Sequence, residues 1–192
     1  MKNRMVIIGI TDFAIAAVIL LGFKIYMINQ KYPNPKIITY NQEEEIKGGD
    51  ITVTIQKSQL LSYEQLKEIA PEYQNNVTNT DGTSLDKSQT KTLLLELKIV
   101  NTSDEEQTMS VANFIAQSSA WSNGWDYDLF LQMNNGESPN VNLLPYEEKV
   151  IKIGYNMYDF QFKDNDWKFV NEREFYIIVS VYPVKNMIKL SL

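Results

Sequence analysis

A long apolar run close to the amino terminus constrains this chain more than any other feature. Residues 5–28 read MVIIGITDFAIAAVILLGFKIYMI, and the only charged side chains among them are Asp12 and Lys24. Residues 5–23 alone, at about 1.5 Å of helical rise each, match the ~30 Å hydrocarbon thickness of a bilayer. The run therefore predicts a transmembrane helix that acts as an uncleaved signal anchor over residues 1–28.

Asp12 is the one acidic residue in this run. A carboxylate at the centre of a span costs roughly 2.5 to 3.5 kcal/mol, and each Leu, Ile, Phe or Val offsets roughly 0.3 to 0.6 kcal/mol of that cost. The apolar residues outweigh Asp12, so insertion is still favoured. An intramembrane carboxylate is also a candidate contact with another membrane protein, which makes an accessory subunit of a membrane complex one alternative function.

Two other interpretations of the apolar run stay open. Lys2 and Arg4 resemble the basic start of a cleavable signal peptide, but no small-x-small cleavage pattern follows in residues 22–35, GFKIYMINQKYPNP. A buried core helix is the other alternative. Basic residues flank the run on both sides, and we expect the long carboxy-terminal part to lie outside a cell membrane that the chain crosses once.

The composition excludes several kinds of chemistry. The 192 residues contain no histidine and no cysteine. Ser-His-Asp and Cys-His catalysis are therefore impossible, and the usual zinc, copper, haem and iron–sulfur ligands are missing. We expect no cofactor and no enzymatic activity.

The charge balance argues against anionic partners. Removing Lys2, Arg4 and Lys24 from 18 basic residues, and Asp12 from 24 acidic ones, leaves 15 and 23, a net charge of −8 beyond residue 28. Such a surface repels polyanions, so we expect no nucleic-acid partner. The expected partners are the lipid bilayer and another membrane or surface protein.

The rest of the chain is dominated by strand patterns. Residues 92–101 alternate apolar side chains and predict a central strand, and residues 51–56 predict a second. Ser62 and Gln65 have capping-box spacing, which predicts one short helix. Further strands are predicted over the segments 108–111, 114–118, 126–132, 149–155, 174–182 and, as an edge strand, 187–192, with a bulge at residues 112–113 and a polar turn at 101–106.

Many short strands and one short helix predict a mainly β protein, an immunoglobulin-like antiparallel β-sandwich. Residues 29–45, with Pro33 and Pro35, predict a linker, and residues 46–192 the sandwich domain.

This layout resembles that of uncharacterised, membrane-anchored surface proteins of Gram-positive bacteria that carry one immunoglobulin-like domain. The segments that carry the resemblance are LKIVNTSD (97–104), FIAQS (114–118), LPYEE (144–148) and Tyr182-Pro183. Two features depart from the pattern: no lipidated cysteine follows the apolar run, and Tyr146 stands where such turns often have glycine. The resemblance implies a fold and a location, and it transfers no site.

Candidate site residues come from the aromatic and acidic side chains. Aromatic residues dominate binding hot spots, and the candidates for a peptide or glycan patch are Trp121, Trp125, Tyr127 and Tyr146. Packing in the domain interior is the alternative role for these rings. The closely spaced acids Asp126, Asp128, Asp164 and Asp166 are calcium candidates, although neither pair matches a full calcium loop.

The expected function is that of a membrane-tethered, extracellular, non-enzymatic binding or accessory module. A glycan-directed hydrolase that uses carboxylates is the alternative, and it requires Asp126, Asp128, Asp164 and Asp166 to converge in one cleft.

Overall fold

The computed structural model describes residues 2–74, 77, 78 and 82–192, and of residues 2–14 it describes the backbone alone. The chain divides into two compact units, Met1–Lys36 and Ile37–Leu192. Each unit has its own secondary structure, helical in the first and mainly strands in the second.

The first unit is built on helix α1, Lys2–Lys31. Val18, Ile19, Leu20 and Leu21 follow one another around the helix axis, and each is at least 60% exposed. Within the described residues, no helix is both long and apolar enough to cross a membrane. The side chain of Asp12 lies outside the described residues.

The second unit consists mainly of strands. Its strands and α-helices are β1 (Lys36–Asn41), β2 (Ile46–Gly48), β3 (Ile51–Ser62), α2 (Tyr63–Ile69), β4 (Thr90–Asn101), β5 (Gln107–Ser110), β6 (Ile115–Ser118), β7 (Trp121–Asn123), α3 (Tyr127–Met133), β8 (Asn140–Leu143), β9 (Glu148–Tyr158), α4 (Asp164–Lys168), β10 (Tyr176–Ser180) and β11 (Val184–Lys189). Strand β1 lies within the segment predicted as a linker.

The strands form two large sheets and one small ribbon. One sheet has the order β1-β11-β10-β6-β7, the other has the order β2-β3-β4-β9, and β5 pairs with β8 alone. Every pair whose register is described is antiparallel. The predicted mainly β sandwich-like fold is confirmed, with few helices.

Strand β4 is central, as its alternation predicts, because it pairs with β3 along one edge and with β9 along the other. Leu93, Leu95 and Leu97 face the main core and are at most 1% exposed. On the opposite face, Leu94 packs in a second core with side chains that include Leu66 of α2 and Leu129 of α3. Both faces of β4 are therefore covered.

The predicted helix after Ser62 is confirmed. The Ser62 hydroxyl accepts a hydrogen bond from the Gln65 N–H, and the Gln65 side chain accepts one from the Ser62 N–H. This reciprocal pair is the capping box that the spacing predicts, and α2 begins at Tyr63.

Three predicted strands were wrong in type or place. Residues 126–132 are not a strand, because Asp126 caps helix α3 and directs Leu129 and Phe130 into the protein interior. Residues 108–118 do not form one bulged strand, because β5 and β6 belong to different sheets. The last strand is not an edge strand, because β11 lies between β1 and β10.

Candidate binding cleft

A cleft of about 330 Å³ opens at the end of the sandwich where β3 begins and β10 ends. Its apolar lining comes from both large sheets and from β5. The apolar lining residues are Ile46, Ile51, Val53, Met109, Phe114 and Val179, and the remaining lining residues are Lys47, Gly48, Thr108, Ser110, Ser180 and Asn186. The cleft thus combines apolar side chains with polar groups, as ligand sites generally do.

Strand β2 leaves one of its edges free beside the cleft. It pairs only with β3, through a two-residue turn whose first residue, Gly49, has a φ of 64°. The Thr102 N–H donates to the Asp50 carbonyl at 2.8 Å, so Asp50 and Thr52 direct their main-chain groups toward β4. By the alternation of antiparallel ladders, the N–H and C=O of Lys47 then point away from β3.

Strand β5 leaves a second free edge at the same cleft. Its partner is β8, and the Val111 N–H donates to the Pro139 carbonyl at 3.0 Å. In an antiparallel pair, successive residues point their main-chain groups alternately toward and away from the partner strand. Because Val111 points toward β8, the main-chain N–H and C=O groups of Thr108 and Ser110 point away from it. Residues with free main-chain groups stand on both walls of the cleft.

An irregular pairing between β10 and β11 leaves one acceptor of the lining residue Asn186 unpaired. The register with β11 shifts between Ile178 and Ser180. The Ser180 hydroxyl accepts from the Asn186 side-chain amide at 3.0 Å and donates to the Val184 carbonyl at 2.9 Å. These bonds use the amide nitrogen of Asn186 and leave its oxygen without a partner.

Asn186 Oδ1 is unusual in this fold. Among the described residues it alone is a buried side-chain oxygen or nitrogen with no hydrogen-bond partner. Leaving a buried acceptor unpaired costs about 1 to 3 kcal/mol. A donor N–H or O–H would recover that free energy, but the oxygen is buried, so a ligand reaches it only when the Asn186 side chain turns toward the cleft.

Acidic residues precede both edge strands. Glu43, Glu44 and Glu45 come directly before β2, and Asp104, Glu105 and Glu106 come directly before β5. Lys47 is the one charged side chain in the cleft lining itself. Lys47 repels cations locally, so what favours cationic over anionic ligands is the net charge of −8 beyond residue 28, which acts at longer range.

The four aromatic candidates do not form one patch. Trp121 is buried, packs against Phe162 and Phe175, and donates to the Gln161 side chain. The Trp125 indole N–H donates to the Val111 carbonyl at 3.1 Å, and its ring lies 5.9 Å from that of Tyr127. These contacts place the two tryptophans in packing roles.

Tyr127 and Tyr146 are exposed. Tyr146 lies in the turn between β8 and β9 with a φ of 57°, the left-handed conformation that favours glycine. The departure noted in the sequence is thus a real conformational strain. Neither tyrosine lines the cleft.

Two of the four acidic candidates, Asp126 and Asp166, have partners in the structure. The Asp126 carboxylate accepts from the Leu129 N–H, the Tyr73 hydroxyl and the Asn156 amide, at 2.6 to 2.9 Å. Asp166 forms an ion pair with Arg173 at 3.5 Å. Asp164 lies with Asp166 in α4, and Asp128 in α3. Over the described part of the chain, no three acidic side chains form a group that could hold a metal ion.

A buried polar cluster around Asp126 escaped the sequence reasoning. The Tyr73 hydroxyl donates to Asp126 at 2.6 Å and accepts from the Asn156 amide at 2.7 Å, and Thr92 donates to the Asn156 oxygen. Burial is the main cause that raises the pKa of Tyr73, and the hydrogen bond to Asp126 adds to it. This cluster joins α3 to β4 and β9 and has the character of a structural support.

The cleft residues were also missed. They come from segments as distant as Ile46 and Asn186, and each segment alone resembles an ordinary strand or turn. The one available signal was the pair of acidic runs before two short strands.

Comparison with known sequences identifies the family. Residues 24–186 match the family described as Domain of unknown function (DUF5028). The chain belongs to the DUF5028 family. No curated protein matches this DUF5028 chain.

Three solved structures from Gram-positive bacteria are similar to the DUF5028 chain. An uncharacterized beta-sandwich protein from Clostridium difficile 630 is 14% identical, with a TM-score of 0.48 over 81% of this chain and 95% of that one. A conserved hypothetical protein from Bacillus anthracis is 11% identical, with a TM-score of 0.46 over 77% of this chain and 94% of that one. A functionally unknown protein from Listeria monocytogenes EGD-e is 13% identical, with a TM-score of 0.48 over 73% of this chain and 71% of that one. Likeness at this level concerns the fold alone.

Proposed function

We propose that this DUF5028 protein is a membrane-tethered, non-enzymatic binding module that holds its partner in the cleft between β2, β5, β10 and β11. The observation that carries the proposal is an apolar cleft bordered by two strands, β2 and β5, whose outer edges have free main-chain groups.

Within the sandwich folds we propose the immunoglobulin-like class. Two features support it: strands of both large sheets pair antiparallel wherever their register is described, and the chain passes repeatedly from one sheet to the other. The disulfide of antibody domains is impossible here, because the chain has no cysteine.

We propose that residues 5–28 tether this domain to the cell membrane and leave it on the outer side. The exposed apolar side chains between Ile15 and Ile28 support the tether, because water would make such a helix surface costly. They surround the helix on all sides and leave no continuous polar face, which a helix lying on the membrane surface would have.

The absence of cysteine makes the orientation easy to test. Ser122 is exposed on β7, so we expect Ser122→Cys in intact cells to react with a membrane-impermeant maleimide. Lys2→Cys, on the other side of the proposed span, should react only after lysis. Labelling of both sites, or of Lys2→Cys alone, in intact cells would contradict the proposed orientation. Release of the chain by alkaline washing of membranes would contradict the tether.

The binding role is tested by site-specific crosslinking on intact cells. A photoreactive residue at Ser110 lies in the cleft, and one at Ser122 serves as the matched surface control. We expect a discrete adduct from Ser110 that is missing from Ser122. Identical adduct patterns at the two positions would rule out the cleft as the binding site.

A further inference from the structure

We infer that the cleft takes an extended, basic peptide segment of a partner protein, which pairs through its backbone with the free edge of β2. This inference rests on the proposed binding role of the same cleft and adds the class of ligand. It follows from the main-chain groups, the lining and the charges of the cleft together.

The main chain provides the first reason. The N–H and C=O of Lys47 point away from β3, and those of Thr108 and Ser110 point away from β8. An extended peptide adds to exposed strand edges by satisfying such groups, which is the general mode of β-strand addition. A compact small molecule cannot satisfy donors and acceptors on both walls as regularly as a peptide backbone does.

The lining provides the second reason. Side chains of an extended peptide alternate in direction, so every second one would point toward the apolar lining around Ile51, Val53 and Phe114. An aliphatic side chain suits that position. Asn186 also lines the cleft, and its unpaired oxygen can accept from a donor on the same peptide once its side chain turns toward the cleft.

The acidic charge of this chain favours particular side chains at the peptide positions that face away from the cleft. The acidic runs 43–45 and 104–106 precede the two strands that flank the cleft, and the chain beyond residue 28 has a net charge of −8, as derived above. Lysine or arginine at the outward positions is therefore favoured. A second copy of this acidic chain would bring like charges together, which argues against self-association through the cleft.

Gly48 offers a way to close the cleft without straining the fold. A Cβ at Gly48 meets no atom within 4 Å, and the φ of this residue is not in the left-handed region. Gly48 lines the cleft and lies two residues after the buried Ile46, so it faces the same side of β2. Gly48→Trp should fill the cleft, and Gly124→Trp, also with no atom within 4 Å and outside the cleft, is its matched control.

The test uses the full chain in detergent micelles and fluorescence anisotropy of a capped, labelled peptide of sequence KVKVTVK. The first comparison peptide, EVEVTVE, reverses the charge. The other two are KVKVTVK analogues with methylated backbone amides: one carries the methyl groups at the odd-numbered residues and the other at the even-numbered residues. Circular dichroism of both tryptophan variants verifies that they are folded.

We expect KVKVTVK to bind the wild type and Gly124→Trp equally, and Gly48→Trp at least about tenfold more weakly, a loss of ~1.4 kcal/mol. EVEVTVE and at least one methylated analogue should bind more weakly than KVKVTVK. Binding should also weaken when salt is raised from about 0.01 M to about 1 M, because the Debye length falls from ~30 to ~3 Å.

Several outcomes would overturn the inference. These are no saturable binding of KVKVTVK, equal binding to Gly48→Trp, or equal binding of EVEVTVE. Sedimentation of the micellar protein as a dimer that Gly48→Trp dissociates would assign the cleft to a second copy instead. If these results occur while Ser110 still gives its specific adduct on cells, the ligand class is wrong and the binding role stands.

Discussion

Gly154 shows how a single residue sets the distance between an element and a sheet. It lies in β9 beneath helix α3, and a Cβ at this position would overlap Leu129 Cδ2, the end of a fully buried side chain. The absence of a side chain at this position is what lets α3 pack closely on the sheet.

We therefore expect Gly154→Ala to lower the free energy of unfolding by about 1 to 3 kcal/mol, the usual cost of overpacking. Urea denaturation followed by tryptophan fluorescence measures it. Gly124→Ala is the matched control, because its Cβ meets no atom within 4 Å. A loss at Gly124 as large as that at Gly154 would show that the contact with Leu129 is not the cause.

Tyr73 and Tyr155 make the folded protein less stable as the pH becomes alkaline. Burial raises the pKa of both hydroxyls above the ordinary tyrosine value. The folded protein then keeps protons that the unfolded chain releases above a pH of about 10. Their contribution to stability is therefore complete below that pH and falls as the pH rises above it, by at most ~1.4 kcal/mol per pH unit for each tyrosine.

We expect Tyr73→Phe to make this alkaline loss shallower by about 1.4 kcal/mol per pH unit, since one titrating group is removed. The measurement is the free energy of unfolding at a series of pH values on both sides of the tyrosine pKa. Tyr73→Phe also removes the bond to Asp126, so the variant is expected to be less stable at neutral pH. An unchanged slope would mean that Tyr73 ionises in the folded protein as it does in the unfolded one.

Helices α2 and α3 both begin with an N-cap residue, but the two caps contribute differently to the stability of the fold. Ser62 caps α2 in an exposed capping box. Asp126 caps α3 and also bonds Tyr73 and Asn156, which are almost completely buried. The second cap is therefore part of the packing between the helix and the sheet.

We expect Ser62→Ala to cost about 1 kcal/mol, the typical value for a lost cap. Asp126→Ala should cost more, because it also leaves buried groups of Tyr73 and Asn156 without a partner, at about 1 to 3 kcal/mol. Denaturant unfolding of the two variants gives the comparison. Equal losses would show that the buried bonds to Asp126 add nothing.

At the scale of the whole molecule, the two units differ in where their apolar side chains lie. All buried residues of both hydrophobic cores fall between Ile46 and Leu190. In the described part of α1, by contrast, the large apolar side chains are exposed. The second unit therefore has a core of its own.

We expect a chain that begins at Pro35 to unfold with the same denaturant midpoint as the full chain, to within about 0.5 kcal/mol in free energy, as for changes away from any core. Both proteins would be measured in the same detergent. The shortened chain should also remain in solution when the detergent is removed. A large fall in its midpoint would mean that residues 1–34 contribute to the stability of the second unit.

Sequence reasoning succeeded where the decisive interactions are local. The alternation of Leu93, Leu95 and Leu97 predicted the central strand, and the spacing of Ser62 and Gln65 predicted the start of α2. Both signals lie within a few residues, where backbone periodicity and a single capping bond decide the outcome. The lack of histidine and cysteine likewise limited the possible chemistry before any fold was known.

Tertiary structure alone decided the rest. Residues 126–132 have strand-like composition, but the hydrogen bonds that the Asp126 carboxylate accepts from Tyr73 and Asn156 and the burial of Leu129 favour a helix. The cleft joins residues as far apart as Ile46 and Asn186. Which strand edges meet, and which oxygen is left unpaired, depends on contacts between distant segments, and no local pattern encodes those contacts.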